Sequence, residues 1–251
     1  RLNYKNLVCD YFFVYDKYSQ KILNFIKTKF IVSGSVRNNE ILRKKRKHKK
    51  YDVMFISEYR DKEKINEFLK KKQSKGNRIL ATDTLLFQSF ILKALNNLCK
   101  KNNLKICVAL AGNRLEKKQS VNIENEKKFL NDNISNFDTE TISSYELAEK
   151  SKMVITFMST LGKELLAKKH KVMFVLYSKY KSINQKYLPN KNGKYWYKGK
   201  LENLLEQKIL QLLKLEEKIW ISYLKKNNLG YEYDKGNSKL KNLIIKLLKQ
   251  N

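Results

Sequence analysis

The chain has 251 residues, of which 54 are Lys or Arg and 24 are Asp or Glu, for a formal charge of +30. That length builds one large or two small domains with a proper core, and the three scattered cysteines, Cys9, Cys99 and Cys107, speak against a disulfide framework or zinc site and fit a reducing compartment. Apolar runs are broken by Lys, Asn or Ser well short of membrane-spanning length and no basic-then-apolar leader opens the chain, so a cytoplasmic product is expected.

The charge makes nucleic acid the first suspect, but its distribution weighs against it. Lysine is spread over nearly every polar face beside abundant Asn and Ile, and arginine, the bidentate reader of bases and phosphates, is sparse. Residues 43–50, RKKRKHKK, form the one concentrated block and read as a surface linker. Attraction to an anionic membrane surface or substrate is the stronger expectation, and nucleic acid is unlikely.

In chain order, the pattern predicts a strand at 11–15, a helix at 18–28 and a strand at 30–33 closed by Gly34, with Ser35 to Asn39 as a loop. Composition turns wholly polar over 38–50, which marks a domain junction. The start at Arg1, without Met, is read as a missing N-terminal portion. YDVMFIS at 51–57 is a buried strand with Ser57, Glu58, Tyr59 and Arg60 at its carboxyl end. A polar helix at 62–72 follows. Residues 82–101 give the clearest helix, with Leu85, Leu86, Ile91, Leu92, Leu95 and Leu98 on an apolar face and Thr82 or Asp83 as cap. The strand at 104–109 enters Gly112, Asn113 and Arg114. Short helices are expected at 124–131 and 144–150, the second capped by Ser143 or Ser144. Then comes the most informative stretch: a strand at 153–157, the turn Met158 to Gly162, a helix, and a strand at 171–176. A tyrosine-rich polar loop at 178–200 and helices at 201–213, 215–226 and 239–249 complete the chain. Helices alternating with short apolar strands predict an α/β fold: an open parallel, Rossmann-like sheet with helices on both faces.

Ligands of such sheets collect at the carboxyl ends of the strands. There Ser159 and Thr160 offer hydroxyls and a helix start to a phosphate, and Gly162 allows close approach; alternatively one of the hydroxyls merely caps the helix and Gly162 relieves crowding. Glu164 either accepts a ribose diol or faces the helix N-terminus favourably. Arg114, after Gly112 and Asn113, clamps a diphosphate or is a solvated charge, and the same choice holds for Arg60. Glu58 is placed to orient a sugar hydroxyl. Lys194, beside Tyr195 and Trp196, forms a mobile lip over the ligand or part of an exposed loop pinned by its aromatics. No GxGxxG or GxxxxGK[ST] run occurs. His48 and His170 sit in lysine-rich sequence read as surface, which argues against a histidine triad or metal cluster and leaves a carboxylate, or a group in a portion not present here, as the general base.

The stretch 144–175 carries Leu147-Ala148, Ser151, an apolar strand, Ser159-Thr160-Leu161-Gly162, Glu164, Leu166-Ala167 and Lys171-Val172. It resembles the C-terminal half of GT-B-type glycosyltransferases and related proteins of bacterial surface-carbohydrate biosynthesis. Asp10 to Tyr15 and the run Ile31 to Ser35 resemble the last elements of the N-terminal Rossmann-like domain of that group. The resemblance implies a GT-B-type C-terminal domain at 51–251, a basic linker at 38–50 and a remnant of the N-terminal domain at 1–37. It implies that Ser159, Thr160 and Gly162, with Leu161 in the same run, hold donor phosphate and that Glu164 faces ribose or sugar. The implied reaction moves a sugar from a nucleotide sugar to a cell-surface polysaccharide or lipid-linked glycan. Arg114, Thr160 and Lys194 would stabilise the leaving phosphate, and no metal or other cofactor is required. A basic exterior would help the protein dock peripherally at the anionic inner leaflet of the cell membrane. Two rivals stand beside this reading: a non-hydrolysing nucleotide-sugar epimerase of the same fold, and a basic module that binds nucleic acid or another polyanion.

Overall fold

Alternating strands and helices build two parallel sheets joined by a buried polar seam. The computed structural model describes residues 8–41, 48–60, 75–111, 120–157, 159–176, 195–227 and 232–249. The expected helix at 62–72 lies outside these residues.

The first unit is small. β1 (Val8–Val14) and β2 (Lys27–Val32) pair in parallel, with α1 (Lys17–Ile22) crossing between them. Asp16 caps α1 by accepting from the Ser19 N–H at 2.5 Å. The helix is therefore shorter than the expected 18–28, and its last residues are instead the start of β2. Gly34 follows with φ +76, and Ser35 caps a five-residue helix, α2 (Val36–Glu40). A loop, Ser35 to Asn39, is expected there from the sequence. The helix forms because Asn38 and Asn39 are fully buried and hydrogen-bonded by distant parts of the chain.

The second unit carries the main core. In chain order it comprises β3 (Tyr51–Ile56), α3 (Lys75–Asn102), β4 (Ile106–Ala109), α4 (Ser120–Asn131), α5 (Ser144–Glu149), β5 (Ser151–Thr156), α6 (Thr160–Ala167), β6 (Val172–Leu176), β7 (Trp196–Lys198), α7 (Glu202–Lys214) and α8 (Glu217–Asn227). Its five strands pair in the order β4-β3-β5-β6-β7, every neighbouring pair parallel. Both faces are covered, which is why β3 to β6 read as nearly continuous apolar runs. Ile91, Leu92, Leu95 and Leu98 of α3 belong to this core, whereas Leu86, expected on the apolar face, is 66% exposed. It lies seven residues before the exposed Lys93, on the same solvent side of the helix.

Two further expectations are corrected. Residues 196–198 are an edge strand rather than part of a polar loop, and Tyr195 and Trp196 are buried against Phe174, not poised over a ligand. His170 is buried rather than on the surface. Its Nε2 lies 3.2 Å from Glu149 Oε1, and its carbonyl accepts from the Trp220 indole of α8 at 3.0 Å. Of the lysines around it only Lys169 is exposed; Lys168 is buried and donates to Ile41 O at 2.5 Å, Lys171 is half-buried and donates to Leu213 O at 3.2 Å, and the turn before β6 is covered by α8.

After α8 the chain returns to the first unit. Gly34 and Tyr233 form an antiparallel bridge, and Glu232 N–H donates to Tyr15 O at 3.0 Å. The Asn39 amide donates to Asn237 Oδ1 at 2.9 Å and accepts from Asp234 N–H at 3.0 Å. A 3-10 turn (Lys235–Asn237) leads into α9 (Ser238–Leu248), none of whose residues is buried. No helix among the described residues is long and apolar enough to cross a membrane.

Candidate functional site

The chain leaves β3 in one direction, through α3 to β4, and then crosses back so that β5, β6 and β7 extend the sheet on the other side. Connections to either side diverge between β3 and β5. A crevice forms at the carboxyl ends of strands at such a switch point. A cavity of about 550 Å³ opens there. Its wall includes Ile56 and Ser57 after β3, the run Ala109 to Ala111 at the end of β4, and Ser159, Thr160 and Leu161 after β5. Ser143, Ser144 and Tyr145 at the start of α5 line it as well, and Arg37 reaches it from α2.

The turn from β5 into α6 is fixed by short-range bonds. Thr156, the last residue of β5, accepts from Ser159 N–H at 3.2 Å and donates its own hydroxyl proton to Glu58 Oε1 at 3.0 Å. Ser159 is the N-cap, its Oγ accepting from Leu161 N–H at 3.2 Å. Thr160 is exposed on the cavity wall in the first turn of the helix. Leu161 N–H and Gly162 N–H are engaged by Ser159 Oγ and Ser159 O, so this helix start favours an anion through the Thr160 hydroxyl and the helix dipole.

Glu164 lies one turn further along α6 and also lines the cavity. Ser35 Oγ donates to its Oε1 at 2.5 Å and the Tyr145 hydroxyl to its Oε2 at 2.6 Å, while its backbone carbonyl accepts from the Asn38 amide at 3.1 Å. Each carboxylate oxygen keeps a lone pair for a further donor, so a vicinal diol can be accepted without dismantling this arrangement. Burial, and then the neighbouring Glu164 carboxylate, push the Tyr145 phenol above its ordinary value, so it stays protonated and donates. The Tyr145 ring is flanked by two cations, the Arg37 guanidinium at 5.7 Å and the Lys168 ammonium at 5.1 Å from its centroid.

Ser57, Ser159, Thr160, Leu161 and Glu164, five of the expected residues, thus meet at one cavity. Glu58 stands next to it, its carboxylate engaged by Thr156 and its N–H donating to the buried Gln88 Oε1 at 2.8 Å. Gly162 is buried on the sheet side of α6, where a Cβ would stand 2.6 Å from Thr156 Cγ2 and 3.1 Å from Phe174 Cε1. Its lack of a side chain lets α6 approach the sheet, and it is not part of the cavity wall. Arg60 is exposed and stands apart from the wall. Gly112, Asn113, Arg114 and Lys194 lie outside the described residues, although Ala111, which precedes the first three, lines the cavity.

Ser35, Arg37, Ser143, Ser144 and Tyr145 are site residues that the sequence pattern does not single out for a ligand. Ser143 and Ser144 carry only a capping signal, and Tyr145 sits inside the Ser-Tyr-Glu-Leu-Ala run without a spacing of its own. Among the described residues no group of His, Cys, Asp and Glu is arranged to hold a metal ion.

No curated protein matches the chain. Among solved structures it is similar to a point variant of S. aureus TarM in complex with fondaparinux, alpha-GlcNAc-glycerol and UDP. The identity is 18% and the TM-score 0.39, over 86% of this chain. The chain spans 39% of the length of that protein. Residues 2–249, nearly its whole length, match the family described as "putative O-antigen biosynthesis protein", and the chain belongs to that family.

Proposed function

We propose that the chain binds a nucleotide sugar and serves as the donor-binding part of a glycosyltransferase acting on a surface polysaccharide or lipid-linked glycan. The observation that carries this reading is the pairing of two features of α6 in one cavity: a helix start bearing Ser159 and Thr160, and the carboxylate of Glu164 one turn later. The first suits a phosphate and the second a diol, and both lie at the switch point of a parallel sheet. Membership of a family described by O-antigen biosynthesis supports a glycan as the product.

Titration controls with DNA and RNA decide the polyanion rival. Among the wall's described residues there is one cation, Arg37, and one carboxylate, Glu164, in a chain of +30. A groove for a nucleic-acid strand calls for a continuous basic track.

Calorimetric or NMR titration with CMP-, UDP-, GDP- and dTDP-linked sugars, with DNA and RNA as controls, tests the reading. One sugar nucleotide should bind in preference to both polymers. Replacing Ser159 and Thr160 together by Ala should weaken that binding by about 1–3 kcal/mol, the worth of one or two charge-assisted hydrogen bonds. Because Ser159 also caps α6, the double variant must first be shown to be folded by its circular dichroism. Unchanged affinity in a folded double variant rejects the assignment of the helix start. Interconversion of a nucleotide sugar with no acceptor present would instead assign the epimerase.

A further inference from the structure

We propose that Arg37, contributed by the first unit, is the anion-gripping residue of the cavity and takes the phosphate or diphosphate of a nucleotide-linked ligand. The inference rests on the nucleotide reading and adds to it a contact outside the second unit. Lysine covers most polar faces of this protein, yet no lysine lines the described part of the wall; the one cation there is an arginine. Its planar fork matches phosphate oxygens two at a time, which a lysine ammonium does not.

Arg37 is also held in place. Its guanidinium lies 5.7 Å from the Tyr145 ring centroid, a placement that restrains the plane and leaves edge N–H groups for a ligand. It forms no ion pair among the described residues, so its charge is not already neutralised by a carboxylate. The helix that bears it is anchored from three sides. The Ser35 hydroxyl bonds Glu164, the Asn38 amide bonds the Glu164 carbonyl, and the Asn39 side chain joins Ser33, Asp234 and Asn237. A rigid scaffold under a restrained side chain is what precise anion recognition requires.

The positions of the two charges further restrict the ligand. Arg37 and Glu164 both contact Tyr145, one over its ring and one at its hydroxyl. An anion near Arg37 therefore has the Glu164 carboxylate close by, which holds the negative charge to the Arg37 side and welcomes hydroxyls on its own. The combination fits a ligand with an anionic end and a diol end.

The test is calorimetry on the whole chain, wild type and the variants Arg37→Gln and Arg37→Lys. The probes are UDP, GDP and ADP, the corresponding nucleosides uridine, guanosine and adenosine, and inorganic pyrophosphate. Arg37→Gln should weaken the diphosphate that binds the wild type, and pyrophosphate, by roughly ten- to a hundredfold, the scale of lost charge-assisted bonds. Arg37→Lys should recover only part of this, and the matching nucleoside should bind all three proteins within about twofold, as expected where no phosphate contact is involved. Equal diphosphate affinity in wild type and Arg37→Gln overturns the role of Arg37 and leaves the nucleotide reading intact. An equal loss for nucleoside and diphosphate also overturns it, because the residue would then act on the fold of the cavity. Pyrophosphate binding that depends on Arg37, with no nucleoside diphosphate bound, upholds the anion grip and removes the nucleotide reading. A wild type that binds neither overturns both.

Discussion

Both carboxylate oxygens of Glu164 are engaged within the protein, one by Ser35 and one by Tyr145, so its orientation is set in advance. Such preorganisation matters only for a ligand group that meets the carboxylate. We predict that Tyr145→Phe and Ser35→Ala each weaken a ribonucleoside diphosphate by about three- to tenfold, the worth of one net hydrogen bond. The same variants should leave its 2′,3′-dideoxy analogue nearly unaffected. Titration of the analogue pair checks this, and an equal loss for both would mean that the two residues only support the fold. Ser159, Thr160 and Glu164 are legible in sequence because a strand, a small polar turn and a helix follow one another without interruption. Ser35 and Arg37 are not. Ser35 meets Glu164 across 129 residues, and no local pattern records so distant a hydrogen bond.

At the scale of elements, the position of α6 depends on one glycine. A methyl at Gly162 would stand 2.6 Å from Thr156 Cγ2, and Thr156 cannot turn freely because its hydroxyl joins Ser159 N–H to Glu58. Alanine is the better helix former by about 1 kcal/mol, whereas overpacking of this kind costs about 1–3 kcal/mol. The clash should win, so Gly162→Ala is expected to lower the urea midpoint and to weaken ligand binding by displacing the helix start. A raised midpoint would show that α6 does not approach the sheet this closely. Gly34→Ala should be the more damaging change, because φ is +76 and the new Cβ would meet Glu232 O at 2.0 Å. The strands of the main sheet are readable because burial on both faces makes them apolar throughout. The edge strand β7 has three residues set in polar sequence, and α2 owes its helicity to distant hydrogen bonds rather than to propensity, so neither stands out.

Across the whole molecule, charge is organised differently at the two ends of the sheet. The amino-end edge holds a cluster in which Glu140 accepts from Lys150 at 2.5 Å, from Tyr51 at 2.5 Å and from Lys50 at 2.9 Å. Bonds from Lys150 first, then Tyr51, hold the Glu140 carboxyl down at about 2 against an ordinary 4.5. A folded-state value below the unfolded one means that the stabilisation is complete above about 4.5 and is lost as the pH falls toward 2. Glu140→Gln should therefore lower the melting temperature at neutral pH and flatten its fall over that acid range. Parallel melting curves of the two proteins check this, and identical acid slopes would show that Glu140 is not held by its neighbours. The parallel α/β class follows from the alternation of apolar strands and helices, but the closing of residues 232–237 on residues 33–41 could not be read, since Asn39 and Asn237 are 198 residues apart. That closure also has an order in time. A ribosome makes the cavity's strands, Glu164 and Arg37 before it makes Tyr233, Asp234 and Asn237. A nascent chain arrested before residue 232 would hold the parts of the cavity without the buried asparagine contacts that seat α2. Arg37 and Ser35 would then keep their tethers to Glu164, Ser33 and Lys168 but lack the one to residues 232–237, and firm anion capture would begin only after those later residues have emerged.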